Sequence, residues 1–433
     1  MKLSDRIRRH SGRVAVVGQG YVGLPLAVEF ANVGFQVAGI DLDENKVAAL
    51  NRGESYIPDV ESQILRRLIE TGRYRATSNM DALAESDAII ICVPTPLRKT
   101  KDPDISFVYS SAAEVKARLR KGQVIVLEST TYPGTTKELL LPMFEESGLT
   151  VGKDFFLAFS PERIDPGNQQ FQVRDIPKVV GGVTPECSRI AALLYGQVVT
   201  KVTEVSSPTV AELAKLYENT FRSVNIALAN EFAMMCRYLD VSVWEVIEAA
   251  ATKPFGFMPF SPGPGIGGHC IPIDPIYLSW KLRLSGYEAR FIALADEVNR
   301  SMPRYVIELL MDALNTREKC LKGSRILVLG VAYKRGVGDM RESPALDVIN
   351  ELQRKGADVW YADPFVPSLE HEGLTTPRVD ATMETIRAAD AVVVITDHKE
   401  FDYPMIVQTA DLIVDARNAT RGLSAPDSRL IRL

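Results

Sequence analysis

The stretch Arg13-Val-Ala-Val-Val-Gly18 restricts the possible folds more than any other feature of the chain. A short β-branched run closed by glycine reads as a buried strand. It leads into Gly18-Gln-Gly20-Tyr21-Val22-Gly23, a helical pattern over 24–33 ended by Gly34, and a second strand over 35–40 that stops at Asp41. Further strands are expected over 86–93 and 123–128. Uninterrupted apolar strands alternating with helices call for a parallel sheet, because the crossover helices cover both of its faces. The same order restarts near Ser324, with strand patterns over 325–330, 357–363 and 390–396 that mirror 13–18, 35–41 and 87–93. Three matches in one order predict a second, smaller doubly wound unit, where chance recurrence of strand–glycine–helix is the competing account.

Between the two lies Ser207-Pro208, suited to an N-cap with proline at the first helical position. An apolar-periodic run then continues to about Leu239. At ~1.5 Å per residue such a helix spans roughly 48 Å, more than an isolated small domain needs. It is expected to link the halves and to pack on a partner subunit; two shorter helices with a kink are the alternative. The fold class is therefore α/β, with two doubly wound Rossmann-like domains joined by a long central helix. The expected division is 1–204, 205–315 and 316–433.

The glycine loop lies between a strand and a helix, the context in which GxGxxG binds a dinucleotide. Gly18 permits the tight turn, Gly20 lets the backbone approach a pyrophosphate, and Gly23 allows close helix–strand contact. Tyr21 and Val22 complete the loop, whose N–H groups at the helix start suit an anion. Asp41, placed to accept hydrogen bonds from both ribose hydroxyls and to repel a 2′-phosphate, points to NAD over NADP. Pro94, Thr95, Ser129 and Thr130 follow strands of the same sheet, at the edge where ligands sit. Alone they would read as turn residues.

The 433 residues carry a net charge of −5, which argues against a nucleic-acid partner. Five Cys without a CxxC pair and four scattered His describe neither a disulfide scaffold nor a metal cluster. No apolar segment follows the charged start, and the longest apolar runs are too short to span a bilayer. A cytoplasmic protein without a membrane partner is expected.

The segment Ser261-Pro-Gly-Pro-Gly-Ile-Gly-Gly-His-Cys270-Ile-Pro-Ile-Asp274-Pro is too rich in Gly and Pro for helix or strand. It reads as a loop that brings backbone close to a ligand. Cys270 ends it just before a helical run, and a thiol beside a helix N-terminus is a usable nucleophile. Cys92, Cys187, Cys236 and Cys320 read as inert and buried. His269 is an improbable base for Cys270, because neighbours in an extended loop point apart. On the long helix Lys215 and Asn219 share a face, followed by Arg222; they could stabilise an oxyanion or position water, or form a solvated helix face.

Together these segments make the chain resemble the UDP-glucose/GDP-mannose dehydrogenase family from Val14 to about Asn418. The motifs are Gly18–Gly23, Glu128–Thr136, Ser160-Pro-Glu162-Arg163, Lys215–Asn219, Gly263–Pro275 and Lys334–Pro344, with Asp165-Pro-Gly-Asn168 and the stretch 249–257. The resemblance implies oxidation of a sugar C6 alcohol to an acid with two NAD. The substrate implied is UDP-N-acetylglucosamine, before UDP-N-acetylmannosamine or UDP-glucose, and the product feeds surface polysaccharide. Cys270 is implied to carry a thiohemiacetal and then a thioester. Lys215 faces the alkoxide, Asn219 and Asp274 hold a water, Glu162 is the acid near the thioester and Thr130 its hydroxyl partner. Glu162, Arg163, Lys215, Asn219, Arg222, Gly267 and Lys334 are implied substrate contacts, and Arg341 a contact to NAD. The resemblance also implies a homodimer through the long helix, possibly a higher homo-oligomer. Gly338 stands where relatives often carry Asp and is expected to loosen the loop beside Arg341. A non-catalytic regulator that binds NAD without producing NADH is the reading from another class.

Overall fold

The computed structural model describes residues 1–98, 100, 102–164, 173–426 and 428–433, so the Asp165–Asn168 motif lies outside the described residues. The chain divides into two compact units: Met1–Glu218 with Ile276–Tyr287, and Asn219–Pro275 with Glu288–Leu433.

The first unit is built on β1 (Arg13–Val17), β2 (Gln36–Ile40), β3 (Tyr74–Thr77), β4 (Ala88–Ile91), β5 (Gln123–Leu127), β6 (Phe155–Phe159), β7 (Lys178–Gly182) and β8 (Val202–Val205), in the order β3-β2-β1-β4-β5-β6-β7-β8. The strand order reverses between β1 and β4, which opens a crevice at their carboxyl ends. β4, β5 and β6 are buried at every position, as strands covered on both faces must be. The sheet is not wholly parallel, because β7 runs antiparallel to β6. That reversal starts β7 at the edge where β5 and β6 end.

The second unit carries β9 (Arg325–Leu329), β10 (Asp358–Ala362), β11 (Ala391–Val394), β12 (Ile413–Asp415) and β13 (Leu430–Arg432), all parallel in the order β10-β9-β11-β12-β13. Its reversal lies between β9 and β11. The last strand comes from a segment with no readable pattern, since three residues are too few to show a period.

The long helix is unbroken over Pro208–Tyr238, 31 residues, which removes the kinked alternative. The Val210 N–H donates to Ser207 Oγ at 3.3 Å, the expected cap. The division between the units falls inside this helix. Cys92, Cys187 and Cys236 are buried, but Cys320 is exposed. It lies in the turn after the helix Arg290–Asn315, among the charged residues Arg317, Glu318, Lys319 and Lys322, which hold the segment at the surface. Among the described residues no helix is long and apolar enough to cross a membrane, and no cluster of three or more His, Cys, Asp or Glu could hold a metal.

Candidate active site

The glycine loop of the first unit is shaped by close contacts on one side and open space on the other. Gly18 has φ 91°, and a Cβ there would lie 2.4 Å from the Cys92 carbonyl oxygen. A Cβ on Gly23 would meet the Gly18 carbonyl oxygen at 1.8 Å. A Cβ on Gly20 would meet nothing within 4 Å. The loop is braced from beneath by buried Gln19, whose Nε2 donates to Val16 O at 2.8 Å while Oε1 accepts from Tyr74 OH at 2.8 Å. Asp41 Oδ2 accepts the Gln19 N–H at 2.9 Å, and Tyr56 OH donates to Gln19 O at 2.6 Å. The Asp41 carboxylate is thus held at the loop while remaining partly exposed, and Tyr21 projects outward. This arrangement fits NAD: a rigid turn, an open backbone face for the pyrophosphate and a fixed acid for the ribose.

Asp363 ends β10 as Asp41 ends β2, yet it does a different job. It is buried, and its oxygens accept N–H bonds from Val331, Ala332, Phe365 and Val366. His398 Nε2 lies 3.0 Å from it, and the Gly336 N–H donates to His398 Nδ1 at 3.1 Å. A carboxylate so filled cannot bind ribose; it pins the loop that carries Lys334.

Along the ligand edge of the first sheet, Pro94 is exposed and Thr95 buried, with Thr95 O accepting from Tyr277 OH at 2.6 Å. Ser129 is buried and its hydroxyl donates to Val93 O at 2.7 Å. Thr130 is partly buried, whereas Thr131 is buried and its Oγ1 has no protein partner. The sequence pattern did not separate these two threonines; burial does, and it makes Thr131 a candidate passed over. Ser160 Oγ is likewise buried without a partner. Buried Glu212 of the long helix accepts the Gly134 and Thr136 N–H groups at 2.6 and 3.0 Å, fastening this motif. Burial pushes its carboxyl up despite those donors.

Lys215 is buried on the long helix, and its ammonium donates to no group among the described residues. The Arg163 guanidinium pairs with Glu218 at 2.7 Å and donates to Pro177 O at 2.8 Å. Glu162 is buried, with Oε1 accepting the N–H groups of Arg163 and Ile164 at 2.6 and 2.5 Å and Oε2 bound by Lys178 at 2.8 Å.

In the second unit Cys270 is exposed at the residue where the glycine loop turns, its carbonyl accepting the N–H groups of Ile273 and Asp274. Asp274 opens the following helix and is buried, and Asn219 Nδ2 donates to its Oδ2 at 2.5 Å. The loop is anchored by buried Asn230, which accepts the Gly263 N–H at 2.8 Å and donates to Asn299 at 2.9 Å. Gly267 and Gly268 pack on Tyr333, where a Cβ would come within 2.8 Å, and the Gly268 N–H donates to Arg341 O at 3.0 Å. The structure thus brings the Cys270 loop against the loop that carries Lys334 and Arg341. Burial lowers the pKa of His269, and the Arg341 charge adds to this. Arg341 is held by Asp339, with Nη2–Oδ2 at 2.6 Å. Gly338 does not loosen this loop, because a Cβ there would lie 2.7 Å from Phe365 O, so the backbone is packed too closely for a side chain. Arg222 is exposed. Arg417, which sequence reasoning missed, donates through Nε to Ile395 O at 3.1 Å and is paired with no carboxylate among the described residues. Burial and the nearby Arg335 bring its pKa down to about 10. Only the fold places it at the ends of β11 and β12; a single Arg in a loop gives no signal.

A sheet in this order, with an open glycine loop and an acid at the next strand end, defines a dinucleotide-binding protein suited to NAD. The chain belongs to the UDP-glucose/GDP-mannose dehydrogenase family. The family's NAD binding domain matches residues 12–199, its central domain 209–301 and its UDP binding domain 327–422. The chain is 37% identical over 393 residues to a UDP-N-acetyl-D-glucosamine 6-dehydrogenase of Pseudomonas aeruginosa, covering 90% of this chain and 91% of that protein. It is 36% identical over 416 residues to a UDP-N-acetyl-D-mannosamine dehydrogenase of Pyrococcus horikoshii, covering 94% and 95%. The solved UDP-D-ManNAc dehydrogenase of Pyrococcus horikoshii superposes with a TM-score of 0.89 at 33% identity, covering 97% of this chain and 98% of that one. The protein is an NAD-dependent UDP-sugar dehydrogenase.

Proposed function

We propose that the chain oxidises the C6 hydroxyl of UDP-N-acetylglucosamine to the uronic acid, with Cys270 as covalent carrier. The observation that carries this reading is the exposed thiol on a braced glycine loop, beside the hydrogen-bonded Asn219–Asp274 pair. Bound NAD supplies the hydride acceptor, and an alcohol-to-acid oxidation needs two equivalents. Gly18, Gly20, Gly23 and Asp41 hold it, with Pro94, Thr95, Ser129 and Thr130 along the strand ends and Arg341 as a further contact. Lys215 stabilises charge on the C6 oxygen as its proton leaves. The Cys270 sulfur then bonds the aldehyde carbon and retains the reactive intermediate. After the second oxidation the thioester is hydrolysed by a water that Asn219 and Asp274 orient, and Glu162 receives its proton. Lys334, Gly267 and Arg222 contact the UDP-sugar in this reading. The division 1–204, 205–315 and 316–433 then separates NAD binding, the helical region and UDP-sugar binding.

The N-acetylglucosamine assignment is supported by the stretches 249–257 and 267–275 and by the Pseudomonas relative. N-acetylmannosamine is the second reading, supported by the Pyrococcus relative at nearly equal identity. The test compares both sugars and UDP-glucose at equal concentration. UDP-N-acetylglucosamine should be turned over fastest, with two NADH per sugar. One NADH per sugar with free aldehyde, or faster turnover of another sugar, refutes the reading. A homodimer through the long helix is supported by Tyr217, Phe221, Leu228 and Met235, exposed apolar residues spaced by four and seven along it; light scattering at a monomer mass would refute it.

A further inference from the structure

Behind Glu162 lies a buried cluster that the reading above leaves unused. Lys178, first residue of the antiparallel β7, is buried between two carboxylates. Its ammonium binds Glu128 on one side and Glu162 Oε2 at 2.8 Å on the other, with Pro161 O at 3.4 Å. Tyr195 OH donates to Glu128 Oε2 at 2.5 Å. Cys92 also faces the cluster, and burial and then the Glu128 charge push its thiol up, so it stays neutral.

Two carboxyls and one ammonium out of water are neutral as a group only when one carboxyl keeps its proton. Burial pushes Glu128 up, Lys178 opposes this and Glu162 adds to it. Burial acts on Glu162 in the same sense, but there Lys178 and the Ile164 N–H outweigh it and pull the carboxyl down. Glu162 accepts three donors, the Arg163 and Ile164 N–H groups and Lys178, whereas Glu128 accepts two, Lys178 and Tyr195, so Glu128 is the carboxyl that keeps the proton. A carboxylate offers about four acceptor positions. In Glu162 two take backbone N–H groups and one takes Lys178, which leaves one for a water. A proton taken up by the neutral unit would make it cationic out of water, whereas once Glu128 ionises the unit carries one negative charge and a proton restores neutrality.

We propose that Glu128 and Glu162, bridged by Lys178, form one proton-sharing unit in which Glu128 is a positioning residue that decides whether Glu162 can take a proton from water. This rests on Glu162 serving thioester hydrolysis. In that step the water oxygen bonds the thioester carbonyl carbon and the water proton passes to the unit. The C–S bond breaks with its electron pair leaving on the Cys270 sulfur as thiolate. The product acid then loses its own proton to solvent.

The test uses Glu128→Gln in the full-length protein, which keeps the shape and hydrogen bonding of the side chain but cannot ionise. The rate of acid formation is followed with its UDP-sugar substrate and NAD from neutral to alkaline pH. The wild-type rate should rise on the alkaline side, and in a folded, NAD-binding Glu128→Gln protein that rise should be lost. An unchanged alkaline rise overturns the inference. If Glu128→Gln does not fold, Tyr195→Phe removes the donor that stabilises ionised Glu128 and should move the rise to higher pH; an unmoved profile again overturns it. Glu162→Gln separates the two levels: unchanged acid formation in that variant overturns the hydrolytic role of Glu162 itself, whatever Glu128 does.

Discussion

Replacing two glycines of one loop by alanine should produce opposite failures. At Gly20 an added methyl meets no protein atom within 4 Å, so stability should stay within about 0.5 kcal/mol of wild type. The same methyl occupies the side from which an anion reaches the loop. Displacing one hydrogen bond to a charged group costs about 1.5–3 kcal/mol, and about 1.4 kcal/mol is tenfold. NAD affinity should thus fall about ten- to hundredfold. At Gly23 the methyl would sit 1.8 Å from the Gly18 carbonyl oxygen, backbone against backbone. Overpacking of this kind costs about 1–3 kcal/mol or more, at roughly 2–4 °C of melting temperature per kcal/mol for a domain this size. Thermal melts and calorimetric NAD titrations on both variants give the readouts. A Gly20→Ala protein that binds NAD normally, or one that melts as low as Gly23→Ala, would refute the assignment of an open ligand face to this loop.

Cys270→Ser should bind UDP-sugar but form no net acid, and near-normal steady-state NADH production would remove the thiol from the reaction. Asn230→Ala leaves the buried Gly263 N–H without its acceptor, at a cost of about 1–3 kcal/mol; the melting temperature should fall, and an unchanged melt would show that the loop does not depend on this anchor. Stability against pH should reveal the buried carboxyls. Glu128 is raised, so its contribution is full below the ordinary carboxylate range near about 4.3 and is lost as pH rises through its raised value. Glu162 is lowered, so its contribution is present above that range and lost as pH falls through its lowered value. Denaturant unfolding of wild type should therefore weaken toward alkaline pH relative to Glu128→Gln, and parallel curves would contradict the buried proton on Glu128.

Much of the fold was legible in sequence because strand–glycine–helix punctuation is local. Gly18, Gly20 and Gly23 carry their meaning in spacing, and β1, β4, β9 and β11 announce burial by uninterrupted apolar residues. What escaped lies in contacts between distant segments. The antiparallel β7 shows no sign in its own residues, since a strand's direction depends on what it pairs with. Lys178 is an ordinary lysine until that reversal sets it between Glu128 and Glu162. Asp41 and Asp363 end matching patterns, yet backbone N–H groups fill the second and leave the first partly exposed. Cys320, read as buried, is exposed in a turn whose neighbours Arg317, Glu318, Lys319 and Lys322 keep it at the surface.

By itself, then, the sequence determined the alternation of strands and helices, the NAD loop and the one cysteine set in a glycine-rich loop. These depend on backbone freedom and side-chain periodicity within a few residues. The tertiary structure alone decided which buried charges meet, which acids stay open to a ligand, that Arg163 is engaged by Glu218, and that Thr131 rather than Thr130 keeps a buried, unpartnered hydroxyl. Those outcomes depend on desolvation and hydrogen-bond competition, which exist only once segments far apart in the chain are packed together.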